Sequence, residues 1–298
     1  MRSVRHEGGA PQRRRRKIAL GLLAAAGALG VALPSAASAA GPAYVAMGDS
    51  YTAGPGIAPA SPTAPADCGQ SAANYPHLVA AALNLTLTDV SCGGAKTENF
   101  TVAQYPDQPP QFNALSSATQ VVTIGMGGND HNLFGTLVQG CSESDYFAGN
   151  VGTPCRKKYA ALVKQVQEED IGPAEQALKE VHALAPSAKV FIVGYPEITP
   201  KEGYCRKAIP WTSGDLKWFH AVETHGNAEL RNEAKADNAI FVDTFKPSAG
   251  HNACEEVGVR WIEPLFGSLT GVPVHPNAVG EENDAFDVEQ AMLTHGVR

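Results

Sequence analysis

The 298-residue sequence contains no C-x-x-C pair, so its six cysteines lack the spacing of a zinc site or a redox dithiol. It has no apolar run of membrane-spanning length: residues 18–33 ("IALGLLAAAGALGVAL") make 16 apolar residues rich in Ala and Gly, short of the roughly 20 that a span needs. A dinucleotide fingerprint is also missing. In "IGMGGND" the last glycine of G-x-G-x-x-G would fall at position 130, which is Asp. No internal repeat is visible, and no Pro/Gly-rich stretch divides the chain after residue 39 into halves. Positive charge is scarce there too. Residues 1–39 carry seven basic residues and one acidic one, so without them the formal net charge moves from −7 to −13. A chain that acidic does not track a phosphate backbone, which argues against nucleic-acid partners and against electrostatic docking on anionic lipid.

The first residues read as an export leader. Arg13 to Lys17 form a positive patch, the apolar run follows, and Ala37-Ser38-Ala39 is a small-x-small cleavage pattern. The expected division is a signal peptide over 1–39 and one domain over 40–298, with the export route left open between the general and twin-arginine systems. The expected location is extracellular. Cys68, Cys92, Cys141, Cys155, Cys205 and Cys254 suit disulfides in an oxidising compartment. Six cysteines pair in many ways; the expectation is sequential pairing, Cys68–Cys92, Cys141–Cys155 and Cys205–Cys254, each closing a loop.

Five short apolar runs, at 43–47, 85–91, 120–125, 189–194 and 239–244, alternate with helix-length segments at 75–83, 156–184, 213–237 and after Pro276. Near-continuous apolar strands between helices predict an α/β fold with a parallel sheet covered on both faces. The segment 52–76, with its many prolines and with Cys68, predicts a pinned surface loop. Trp211, Trp218 and Trp261 read as packing residues. His220 and His225 lie five apart on one predicted helix and do not share a face, a poor metal pair.

In parallel α/β sheets, ligands bind outside the carboxyl ends of the strands. The residues there are Gly48-Asp49-Ser50 after the first run, Cys92-Gly93-Gly94-Ala95 after the second and Gly127-Gly128-Asn129-Asp130 after the third. His275 follows in a loop before the last helix. A hydroxyl, a small-residue turn, a side-chain amide and an imidazole at one sheet edge are an inventory for acyl transfer. Asp49 reads as a turn-holding acceptor.

Four blocks in order, "GDSYTAG", "SCGGA", "GGND" and "HPN", resemble the SGNH or GDSL hydrolases over essentially the whole chain after the leader. The cysteines and leader are most similar to the secreted actinobacterial esterases and lipases of that family. The resemblance implies a three-layer α/β/α sandwich with a five-stranded parallel sheet in a single domain. It implies Ser50 as nucleophile, His275 as general base, and the backbone N–H of Ser50, the backbone N–H of Gly94 and the side chain of Asn129 as oxyanion donors. It implies no metal and no organic cofactor. Many members place Asp three residues before the histidine, but position 272 is Val. The expectation is therefore a Ser-His dyad with the Val272 carbonyl, or else that of Pro273, accepting from His275. A distant acid, Glu263 or Asp243, is the alternative.

The expected function is a secreted carboxylic-ester hydrolase acting as a monomer on a small-molecule or lipid ester, without stable membrane insertion. The alternatives are a polysaccharide or sugar O-acetylesterase, and an inactive binding module on the same scaffold.

Overall fold

Tyr44, Val45, Ala46 and Met47 are all buried, as expected of a strand covered on both faces. The computed structural model describes residues 41–169 and 171–298; the leader expected over 1–39 lies outside the described residues. The strands are β1 (Ala43–Met47), β2 (Thr86–Asp89), β3 (Val121–Ile124), β4 (Lys189–Val193) and β5 (Ile240–Val242). Every neighbouring pair is parallel, in the order β2-β1-β3-β4-β5. Successive side chains alternate faces. Val45 and Met47 point to the layer of α5 (Ile171–Leu184) and α6 (Ser213–Ala236), where they share a core with Leu178, Val181 and Leu230. Tyr44 and Ala46 point to α2 (Tyr75–Ala82) and α7 (Ala278–Thr294), meeting Val79, Val288 and Met292. This is a single-domain α/β/α sandwich.

One helix differs from the sequence pattern. The span expected over 156–184 is helical, as α4 (Pro154–Glu169) and α5, whereas α3 (Leu133–Asp145) has the weakly helical sequence "LFGTLVQGCSESD". It forms because Leu137 and Cys141 are buried against α4 and because a disulfide ties Cys141 to Cys155. With α4 and part of α6, it builds a third core around the fully buried Trp211, in contact with Tyr51 and Val274. Two further disulfides join Cys68 to Cys92 and Cys205 to Cys254.

The α3–α4 contact depends on Gly140, where an added Cβ would stand 2.2 Å from Tyr159 Oη and 2.4 Å from Cζ. Alanine favours a helix over glycine by about 1 kcal/mol, whereas overpacking costs about 1–3 kcal/mol. Packing wins: Gly140→Ala should lower stability by about 1 kcal/mol in urea unfolding, against its helix propensity.

Candidate active site

The strand order reverses between β1 and β3, so the loops leaving these two strands diverge and open a crevice at their carboxyl ends. Gly48 leaves β1 with its N–H donating to Gln111 Oε1 (2.8 Å) and its carbonyl accepting from Gln111 Nε2 (3.0 Å). Asp49 then caps the one-turn helix α1 (Ser50–Ala53), its Oδ1 accepting from Tyr51 N at 2.9 Å. Ser50 is the first residue of that turn, so its backbone N–H has no acceptor within the helix.

Ser50 Oγ and His275 Nε2 are 2.8 Å apart, although the residues are 225 positions apart in sequence. The other ring nitrogen, Nδ1, lies 2.8 Å from the carbonyl oxygen of Pro273. A carbonyl only accepts, so Nδ1 carries the proton and Nε2 is left to accept from Ser50. The expected carbonyl of Val272 is thus corrected to that of Pro273. The reason is Val274, whose φ of 57° turns the chain back so that the Pro273 carbonyl, two residues before His275, meets the ring. A β-branched residue there is strained, at a cost of about 1–3 kcal/mol. The strain is held from both sides: Tyr51 Oη donates to the Val274 carbonyl, Val274 N donates to Glu263 O (2.9 Å) and Glu263 N donates to His275 O (2.8 Å).

The two distant acids do other work. The Glu263 carboxylate accepts from Arg260 (2.9 Å), Leu269 N, Thr270 N and Thr270 Oγ1, fixing the loop ahead of the histidine. Asp243 accepts from Arg231 at 2.7 Å and from Lys246 N. The His275 ring packs instead against two aromatics, Tyr51 at 4.9 Å and Phe134 edge-on at 5.6 Å, which also meet each other at 6.0 Å. Burial pushes His275 down to about 4, opposed by the Pro273 carbonyl.

Asn129 follows β3, with Nδ2 donating to Ala95 O at 3.1 Å. Next to it, the buried Asp130 carboxylate accepts from Thr97 N (2.8 Å) and Thr97 Oγ1 (2.6 Å), which ties the loops after β2 and β3 together. Gly94 lies beside Ala95 with φ of 76°, a conformation that favours glycine. Ser50 and Asn129 line one cavity of about 170 Å³ whose other walls are largely apolar, including Met126, Leu133, Leu137, Phe219 and Leu230. Gly94 stands outside those walls. Glu223 lines the same cavity, and burial pushes it up to about 8 against hydrogen bonds from Thr199 and Ile198. His225 also lines it, whereas His220 turns away to the Thr199 carbonyl (2.9 Å). Among the described residues no group of three or more His, Cys, Asp or Glu is arranged to hold a metal.

Tyr195 was not singled out from the sequence, yet it follows β4 as the other site residues follow their strands. Its hydroxyl donates to Asp49 Oδ2 (2.6 Å) and accepts from Gly128 N (3.1 Å), linking the Ser50 turn to the Asn129 loop. Burial pushes Asp49 up to about 6, and the Tyr195 hydrogen bond opposes that rise.

A profile of the GDSL-like Lipase/Acylhydrolase family matches residues 46–282. Lipase 2 of Streptomyces coelicolor is 41% identical over 280 residues, covering 91% of this chain and 95% of that protein. Phospholipase A1 from Streptomyces albidoflavus NA297 superposes with a TM-score of 0.70 at 25% identity, covering 86% of this chain and 99% of that one. An extracellular lipase from Streptomyces rimosus shares the fold, with a TM-score of 0.69 at 24% identity over 84% of this chain and 98% of that one.

Replacing Tyr195 with Phe keeps the ring and removes the bridge. Asp49 should then titrate above about 6. Because its folded pKa already exceeds the unfolded value of about 3.9, a further rise lowers stability only as pH climbs past it. Tyr195→Phe should therefore be less stable than the parent by about 1 kcal/mol near pH 4, where Gly128 N has lost its acceptor, and by about 2 kcal/mol more above pH 7, measured by urea unfolding across pH.

Proposed function

The chain belongs to the GDSL-like lipase/acylhydrolase family and is an ester hydrolase of the lipase and esterase type; from that premise we propose that Ser50 and His275 act as a catalytic dyad. The observation that carries this is the 2.8 Å contact between Ser50 Oγ and the unprotonated Nε2 of His275. In the proposed cycle His275 takes the hydroxyl proton as Oγ forms a bond to the ester carbonyl carbon. The resulting oxyanion is met by the N–H of Ser50, the N–H of Gly94 and Nδ2 of Asn129. An amide nitrogen carries two hydrogens, so Asn129 holds Ala95 with one and offers the other. Collapse expels the alkoxide, which takes the proton back from His275 and leaves an acyl-enzyme on Ser50. Water activated by the same imidazole then releases the acid.

The Pro273 carbonyl fulfils the orienting role of the missing carboxylate. It fixes the tautomer and accepts from the imidazolium, with less stabilisation than a full negative charge gives. The apolar cavity beside Ser50 favours a fatty or lipid ester over an acetylated sugar, because a polar sugar would leave hydroxyls unpaired against Leu133, Leu137 and Phe219. The leader pattern together with three disulfides supports export.

Hydrolysis of p-nitrophenyl esters from acetate to palmitate tests the assignment. Ser50→Ala and His275→Ala should each lower kcat by at least about three orders of magnitude, and Asn129→Ala by about 10²–10³. Full activity in Ser50→Ala would reject the dyad, and an acetate optimum would move the assignment to an O-acetylesterase. Only neutral His275 accepts a proton, and its pKa lies near 4. The acid limb of kcat/KM should thus fall well below about 6.5, the ordinary imidazole value.

A further inference from the structure

The chain after residue 39 is strongly acidic, with sixteen basic residues in all, yet six of these fall in two short segments. Arg156, Lys157 and Lys158 open α4, and Lys201, Arg206 and Lys207 lie in the loop after β4; all six are exposed. Tertiary contacts bring the two segments to one surface. Arg206 Nη2 donates to the Tyr146 carbonyl at 3.1 Å, Tyr204 Oη donates to the Gly149 carbonyl at 3.0 Å, and the Cys141–Cys155 disulfide fastens α3 to the start of α4.

The same segments carry large apolar side chains with little cover. Phe147 is 92% exposed, Val151 76%, Tyr146 54% and Tyr204 41%. The Phe147 ring meets Tyr146 edge-on at 4.8 Å. The segments 141–158 and 201–207 contain three acids. Asp145 is buried and accepts from Thr212 N, which leaves Glu143 and Glu202 facing six cations. Among the described residues, no ion pair engages any of the six.

We propose that this surface, which carries Phe147, Val151, Arg156, Lys157, Lys158 and Arg206, docks the protein on the anionic headgroup layer of a lipid surface. Aromatic side chains gain most at the headgroup boundary, and each nearby cation adds an attraction worth about fivefold in binding. The acidity of the remaining molecule orients it, since every other approach is repelled at distances within a Debye length. A nucleic-acid backbone offers the charge but no apolar layer for Phe147 and Val151. The surface lies at the far end of α3, about 12 Å by helix rise beyond Leu137, which lines the cavity, so changes there leave Ser50 and His275 untouched. Docking does not depend on the proposed hydrolysis.

The test uses the Ser50→Ala protein, which leaves vesicles chemically intact. It should co-sediment with phosphatidylcholine vesicles containing about one-third phosphatidylglycerol, release in high salt, and stay in solution with phosphatidylcholine alone. Lys157→Glu with Lys158→Glu, and separately Phe147→Ser, should each weaken binding on the order of tenfold, whereas Lys157→Arg with Lys158→Arg should retain it. Unchanged thermal midpoints confirm that the variants fold, and the same changes in the Ser50 protein should leave turnover of a water-soluble ester as it was. Equal binding to both vesicle types, no binding to either, or indifference to these substitutions would overturn the proposal. So would retention on heparin without sedimentation on the anionic vesicles.

Discussion

Parallel pairing is the constraint on which the molecule depends. Five strands running the same way deliver all their carboxyl ends to one edge, and the order β2-β1-β3-β4-β5 opens that edge between β1 and β3. Ser50 leaves β1, Gly94 follows β2, Asn129 follows β3 and Tyr195 follows β4. Each is carried to the same rim by the hydrogen-bonded ladder rather than by any local signal. The Asp130–Thr97 and Asp49–Tyr195–Gly128 hydrogen bonds then tie these loops to one another, so the protein's own contacts hold the rim in shape.

His275 reaches the rim differently, on a long loop from the other end of the chain. A residue brought in that way needs its orientation fixed, and here the fixing is done by backbone. Val274 in a left-handed conformation turns the Pro273 carbonyl onto Nδ1, while Tyr51 and the Glu263 backbone hold the strained turn in place. The carboxylate of Glu263 is spent on Arg260 and the 269–270 loop, so it shapes the histidine's support without touching the ring. A strained residue held on both sides preorganises an imidazole in a partly dry site, where burial keeps it neutral and able to accept a proton.

The docking surface adds a second contrast. Net charge measured over the chain says little about one face of it. The cations and aromatics of that face lie on segments about fifty residues apart, and packing and a disulfide place them together.

Much was legible without coordinates, for physical reasons that can be named. Apolar runs marked β1, β3 and β4 because parallel strands buried on both faces are near-continuously apolar; the edge strands β2 and β5 are only partly covered, and small residues after the strands marked the rim. Helix α3 was not legible, since its glycines and serines disfavour helix and only burial against α4 overrides them. Tyr51 and Tyr195 read as ordinary aromatics. Their roles lie in hydroxyl contacts to residues 223 and 146 positions away.

The sequence by itself determined the elements, the chemical types at each strand end and the lack of a carboxylate before His275, because these follow from local composition and spacing. Only the tertiary structure decided which carbonyl faces Nδ1, that neither Glu263 nor Asp243 orients the ring, and that scattered lysines and aromatics share a face. Those outcomes rest on backbone angles and through-space distances of a few ångströms, and a linear pattern carries neither.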